Sequence, residues 1–138
     1  MKPGPLRGML HRVRARWVRW RSGTRIRCRG SGHRVDAADA LLSGVTIEIE
    51  GTGNRLVIGA QTRMWGGSIK IHGRNLLCEV AGYCQLRNTE LTVEDEGSRL
   101  ILLGSVSGTG CRLLAGEGGL VHIGNDCMMS VDADVRNT

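Results

Sequence analysis

Short stretches of this chain alternate apolar and polar residues with a period of two. Val45-Thr46-Ile47-Glu48-Ile49-Glu50, Ile69-Lys70-Ile71 and Leu91-Thr92-Val93 are the clearest. Leu113-Leu114-Ala115 and Ala133-Asp134-Val135 read as later copies. Such alternation predicts strands with one side toward a core and the other toward water. A second set alternates likewise: Leu56-Val57-Ile58, Cys78-Glu79-Val80 and Val121-His122-Ile123. Each runs into a short piece made of an aliphatic residue, Gly or Ala, two variable residues and a small side chain. The leading aliphatics of these pieces, Ile58, Val80, Leu103 and Ile123, lie 22, 23 and 20 residues apart.

A repeat of 20–23 residues with short strands at fixed phase is a stacking signal, since one copy cannot bury its apolar edge alone. Stacked copies can, each strand pairing in parallel with its equivalent one period away. The chain is therefore expected to be all-β, a single-stranded parallel β-helix of about 4–5 coils over residues 45–138. The small residues Thr62, Cys84, Ser107 and Cys127 are expected at corners. Gly66-Gly67, Gly108, Gly110, Gly116 and Gly118-Gly119 are expected to turn the chain between sheets. A β-sandwich is the competing reading. It is disfavoured because hairpin signals such as Asn-Gly are missing and the aliphatic-Gly-x-x-small piece recurs.

Composition supports thin aliphatic layers: Gly reaches 21 residues, aromatics only 3%, and Phe is absent. Charge divides the chain. Residues 1–34 hold Lys2 and ten arginines without an acid, while all thirteen acids lie in 35–138, so the net +6 describes neither part. Leu6, Met9, Leu10, Val13, Trp17 and Trp20 recur at three- and four-residue steps, which predicts a basic amphipathic helix from Leu6 to Arg21 within residues 1–22. Residues 23–44 are expected as a linker and capping coil. Three roles stay open for the helix: capping the stack, resting on an anionic membrane, or contacting nucleic acid. Arg12, Arg16, Trp17, Arg19 and Trp20 would make the membrane or anionic contact. Nucleic acid is the weakest of the three, because no nucleic-acid-binding fold accompanies the arginines. Five cysteines without a CxxC pair fit neither a zinc site nor a disulfide framework, so no metal is expected. They read as small buried hydrophobes in a reducing, cytoplasmic setting.

The aliphatic-Gly-x-x-small piece resembles the hexapeptide repeat of the left-handed β-helix acyltransferases. The likeness is strongest in Val121-His122-Ile123-Gly124-Asn125-Asp126-Cys127-Met128-Met129-Ser130 and Val135-Arg136-Asn137-Thr138. There the chain is similar to bacterial O-acetyltransferases that decorate surface polysaccharides. The resemblance implies a left-handed coil, acetyl-CoA as co-substrate and a homotrimer, while the cysteines and the basic helix give the expected location, the cytoplasm or the inner face of the cell membrane. The resemblance also implies a substrate cleft near Asn125, Met128, Arg136 and Asn137. In that family the Arg-Asn-Thr-like segment runs into an Asp-x-His motif, whose His is the general base. Residues 1–138 contain no such motif, so the base is expected beyond Thr138 and the chain as given is expected to be inactive. No acetyl-CoA is expected bound to it, and a non-catalytic scaffold is the alternative. Among the histidines, His122 should point outward from its strand, His72 ends a strand, His33 lies in the basic entrance and His11 in the helix. None has a recognisable catalytic partner. The last coil, ending at Asp134-Val135-Arg136-Asn137-Thr138, is expected to leave a strand edge that recruits further copies.

Overall fold

The computed structural model describes residues 24–37 and 40–137, together with the backbone of Val13–Ala15 and Arg19–Trp20. The chain is a parallel β-solenoid of about five turns. Its strands run in chain order β1 (Val13–Ala15), β2 (Arg19–Trp20), β3 (Arg25–Ser31), β4 (His33–Asp36), β5 (Leu41–Ser43) and β6 (Thr46–Thr52). They continue as β7 (Arg55–Ile58), β8 (Arg63–Arg74), β9 (Leu77–Val80), β10 (Gln85–Glu94) and β11 (Arg99–Leu102). The last are β12 (Ser107–Thr109), β13 (Arg112–Ala115), β14 (Leu120–Ile123), β15 (Met128–Met129) and β16 (Asp134–Asn137).

Each turn visits three sides. Side one is a 6-stranded sheet, β1-β4-β7-β9-β11-β14. Side two stacks β2, β5, the first part of β8, the first part of β10, β12 and β15. Side three stacks β3, β6, the second parts of β8 and β10, β13 and β16. All pairings are parallel, and equivalent residues are 20 to 22 positions apart, as in Val13↔His33, Arg34↔Arg55 and Arg55↔Leu77.

The register produces ladders of like residues in the lumen. Side three stacks Ile26, Ile47, Ile69, Leu91, Leu113 and Val135. Side one stacks Val35, Leu56, Cys78, Leu100 and Val121. Side two stacks Leu42, Met64, Leu86, Gly108 and Met129, and Met129 packs into the space that Gly108 leaves. The lumen is only one aliphatic side chain deep from each side, which is why Ile, Leu and Val suffice and no Phe is needed. Leu100 is fully buried between Cys78 and Val121. Leu100→Ala is expected to cost about 2–5 kcal/mol in urea unfolding, since neighbouring layers cannot collapse into the gap. Burial weakens in the last layer, where Ile123, Met129 and Val135 are only partly covered.

Corners repeat as faithfully as strands. Between sides two and three, Gly44, Gly66, Asn88, Gly110 and Asp132 all have positive φ; between sides one and two, Gln61, Tyr83, Ser105 and Asp126 do. The residue after the corner is buried in the covered layers, as at Val45, Thr62, Cys84, Thr89, Val106 and Cys111, whereas Cys127 in the last layer is exposed. Thr62 and Cys84 use that position to donate to the carbonyls of Ala81 and Leu103, at 2.9 and 3.5 Å.

Several expectations change. The repeat phase runs Ile58, Val80, Leu102, Ile123, so Leu102 holds the position expected of Leu103. Alternation decides it: Leu100 and Leu102 share the inward side of β11. The corner residue is likewise Val106, not Ser107. Val135, not Ala133, stands opposite Leu113. Gly108 lies within a strand rather than a turn. The helix expected over Leu6–Arg21 falls largely outside the described residues, and its two described stretches are strands, β1 pairing with β4 and β2 with β5. The expected linker and capping coil at 23–44 carries β3, β4 and β5, in the same sheets as the rest.

Candidate functional site

The resemblance pointed to the last layer, so its residues come first. Asn125 sits at the corner between sides one and two, where its Oδ1 accepts the Gly104 N–H at 2.8 Å. Met128 projects from side two and is 84% exposed, the most open large apolar residue described. Arg136 leaves side three and donates from Nε and Nη2 to the Asp134 carboxylate at 2.9 and 3.0 Å. That bidentate contact holds the Asp134 carboxyl below, and the Arg136 guanidinium above, their ordinary ranges. Asn137 donates to the Leu120 carbonyl at 2.9 Å. The four residues therefore do not converge: Asn125 lies at a corner, Met128 on side two, and Arg136 and Asn137 on side three. Asn125 and Asn137 tie down the last layer, and Arg136 pairs within its own strand.

The histidines are equally dispersed. His33 is buried in the corner between sides three and one: Nδ1 accepts the Asn54 N–H at 3.2 Å, which leaves Nε2 as the donor to the Arg29 carbonyl at 2.7 Å. His72 lies on side three with Nε2 3.5 Å from Glu48 Oε1. His122 is exposed on side one in line with Ile101. His11 lies outside the described residues, as do the side chains of Arg12, Arg16, Trp17, Arg19 and Trp20. Among the described residues no group of three or more His, Cys, Asp or Glu could hold a metal ion, and no helix is long and apolar enough to cross a membrane.

All five cysteines are free thiols. Burial pushes Cys78 up to about 12, with the Glu79 charge adding, and Cys28 up to about 11. Cys84 is also raised by burial. Cys127 alone is exposed. Iodoacetamide applied to the folded protein at mildly alkaline pH is expected to label Cys127 first and to spare Cys78, Cys84 and Cys111. Peptide mass mapping reads this directly, and prompt labelling of Cys78 would contradict the stacked register.

A groove of about 450 Å³ runs over side two, floored by Gly108 and Met129 and edged by Gln85, Arg87, Thr109 and Met128. Beside it the Arg87 guanidinium lies over the Trp65 indole, 4.7 Å from the ring centre. Met128 is the one residue here that the resemblance singled out. Trp65 and Arg87 were missed, although a partial signal existed: Arg63-Met64-Trp65 and Gln85-Leu86-Arg87 each start on a polar residue followed by an inward aliphatic, 22 residues apart.

With this geometry in place, comparison with known proteins adds no relative: no family profile, curated protein or solved structure matches the chain.

Proposed function

We propose that this solenoid is the repeat-bearing part of an acetyl-CoA-dependent O-acetyltransferase of the left-handed β-helix type, acting on a surface polysaccharide or its precursor. One observation carries the reading. The stretch 121–137, whose residues most resemble that family, continues the stack in register: β14 pairs with β11, β15 with β12 and β16 with β13. In such a reaction a base takes the proton of an acceptor hydroxyl. The oxygen attacks the thioester carbonyl, the carbon–sulfur bond breaks, and CoA leaves as its thiol. An imidazole is the expected base, placed by the resemblance in an Asp-x-His motif that residues 1–138 lack. A trimer and peripheral contact with an anionic membrane through Arg12, Arg16, Trp17, Arg19 and Trp20 belong to the same proposal.

A second reading, a non-catalytic scaffold, draws on the described histidines. His33 has both nitrogens engaged with backbone, and His72 and His122 lie on different sides. Two measurements on protein isolated from its own cells separate the readings. Release of free thiol from acetyl-CoA in the presence of cell-surface glycan, together with a mass above 15.0 kDa, is the result the enzyme reading expects. No thiol release at a mass of 15.0 kDa would sink it and leave the scaffold.

A further inference from the structure

Side two differs from its neighbours in charge. Its outward positions in the three middle layers are Arg63, Trp65, Gln85, Arg87, Ser107 and Thr109. None is acidic, and Leu41, Ser43, Met128 and Ser130 before and after them add no acid. Side three, by contrast, carries Glu48, Glu50, Glu90 and Glu94, and side one carries Asp36 and Glu79. On side three the signs alternate from layer to layer, as in Arg27, Glu48 and Lys70, and Arg29 contacts Glu50 of the next layer at 3.6 Å. That side neutralises itself. Side two has cations only, and among the described residues neither Arg63 nor Arg87 forms an ion pair.

The two aromatic residues whose side chains are described, Trp65 and Tyr83, lie on side two and at the corner that leads into it. Trp65 stands between Ser43 and Arg87 in its column, so Arg87 covers one ring face while Ser43 is too short to cover the other. Arg63 lies diagonal to Arg87 across the β8–β10 pair, which sets two guanidinium groups within one ligand's span. Tyr83 occupies the adjoining corner with φ 64 and is 67% exposed. The other residues of that corner with positive φ, Gln61, Ser105 and Asp126, are small or polar. A bulky aromatic in this backbone conformation, with its ring in water, contributes nothing to the core and points to an external contact.

We propose that side two binds an acidic oligosaccharide along these middle layers. Sugar rings pack on Trp65 and Tyr83, carboxylates pair with Arg63 and Arg87, and Gln85, Ser107 and Thr109 exchange hydrogen bonds with hydroxyls. The stack on Trp65 fixes the Arg87 guanidinium plane before binding, which lowers the ordering cost of a bidentate carboxylate contact. Single-stranded nucleic acid fits less well. It needs cations tracking many phosphates and a row of stacking platforms, whereas this side offers two arginines amid hydroxyls and an amide. The inference goes beyond the proposed function, because binding here requires no acyl donor and no catalytic base.

Calorimetric titration of the 138-residue chain with tetragalacturonate and with a sialic acid tetramer tests it, with maltotetraose and a single-stranded oligodeoxythymidylate as comparisons. At least one acidic tetramer is expected to bind, more weakly in high salt, and more tightly than maltotetraose or the oligonucleotide. Arg87→Gln and Trp65→Ala are each expected to weaken it about tenfold, the worth of one charge-assisted contact or one ring platform. Arg99→Gln, on side one, should leave it unchanged. Arg87→Gln removes only an exposed head group, so it stays informative if Trp65→Ala fails to fold. Failure of both acidic tetramers to bind, unchanged affinity in Arg87→Gln, or tighter binding of the oligonucleotide would each overturn the proposal. Thioester turnover is not read in this experiment, so its outcome is independent of the enzyme reading.

Discussion

Replacing Gly51 by alanine is expected to leave the chain unable to hold its native stack, at a cost above about 4 kcal/mol. Gly51 has φ +113, in a column with Gly30 at +98 and Gly73 at +147. These glycines end the side-three strands, where the backbone bends back toward side one. A Cβ at Gly51 would overlap the Gly73 carbonyl oxygen of the next layer, which is backbone and cannot rotate away. The substitution therefore combines an unfavourable dihedral with a backbone clash, and relief of either would break the β6–β8 pairing. Gly97→Ala separates the two effects. It has φ +81 but nothing within 4 Å of the added Cβ, so only the dihedral cost of about 1–2 kcal/mol is expected. Urea midpoints of the two variants give the comparison. Equal, small losses would show that the layers are not as close as the register requires.

Asn54→Leu is the second large effect, and it tests the corner between sides three and one. Asn54 is 1% exposed and satisfies three backbone groups at once. Its Nδ2 donates to the Glu50 carbonyl at 2.8 Å and to the Gly73 carbonyl at 3.0 Å, and its Oδ1 accepts the Leu76 N–H at 3.0 Å. Its own N–H is taken by His33 Nδ1 in the layer before. Leucine matches the volume but leaves two carbonyls and a buried N–H without their side-chain partner in a largely covered corner. Each costs about 1–3 kcal/mol unpaired, so the total loss is expected to be about 3 kcal/mol or more. Thermal unfolding should show a much lower midpoint for Asn54→Leu than for Asn88→Ala, an exchange at a solvent-facing corner. A stability gain in Asn54→Leu would mean that apolar packing, not the polar ladder, holds this corner.

How much of this was legible depends on what each residue advertises. Ile47 and Ile49, Ile69 and Ile71, and Leu91 and Val93 are separated by polar residues, so their inward phase is fixed by alternation alone. Leu102 and Leu103 are both leucine, and a doublet carries no phase; only pairing to Val80 and Ile123 resolves it. The stretch Arg25-Ile26-Arg27-Cys28-Arg29 alternates as cleanly as β6, yet its arginines read as part of a basic tail rather than as the outward side of β3. Near the N-terminus, Val13, Trp17 and Trp20 satisfy helical spacing, while the described strands there owe their form to pairing with β4 and β5. That pairing is a long-range cause which local periodicity does not encode.

The candidate surface was harder to see for a related reason. Trp65 precedes the Gly66-Gly67 turn, so its stretch reads as turn rather than strand, and nothing in its own neighbourhood names Arg87. The cation–aromatic contact exists because a 22-residue offset stacks position 65 on position 87. The absence of acids from side two becomes visible only once three sides are assigned. Of the residues singled out by resemblance, Asn125 and Asn137 hold the last layer through bonds to Gly104 and Leu120, and Arg136 pairs with Asp134 of its own strand.

The central claim is the parallel register, because the lumen ladders, the Gly51 contact, the Asn54 network and side two all follow from it. Nuclear Overhauser contacts in the isotope-labelled protein test it most directly. The account predicts parallel interstrand contacts linking the backbone neighbourhoods of Ile47 with Ile69, Ile69 with Leu91, and Leu91 with Leu113, each only to its adjacent layers. Close Hα–Hα contacts between strands adjacent in sequence, the mark of antiparallel hairpins, would contradict it.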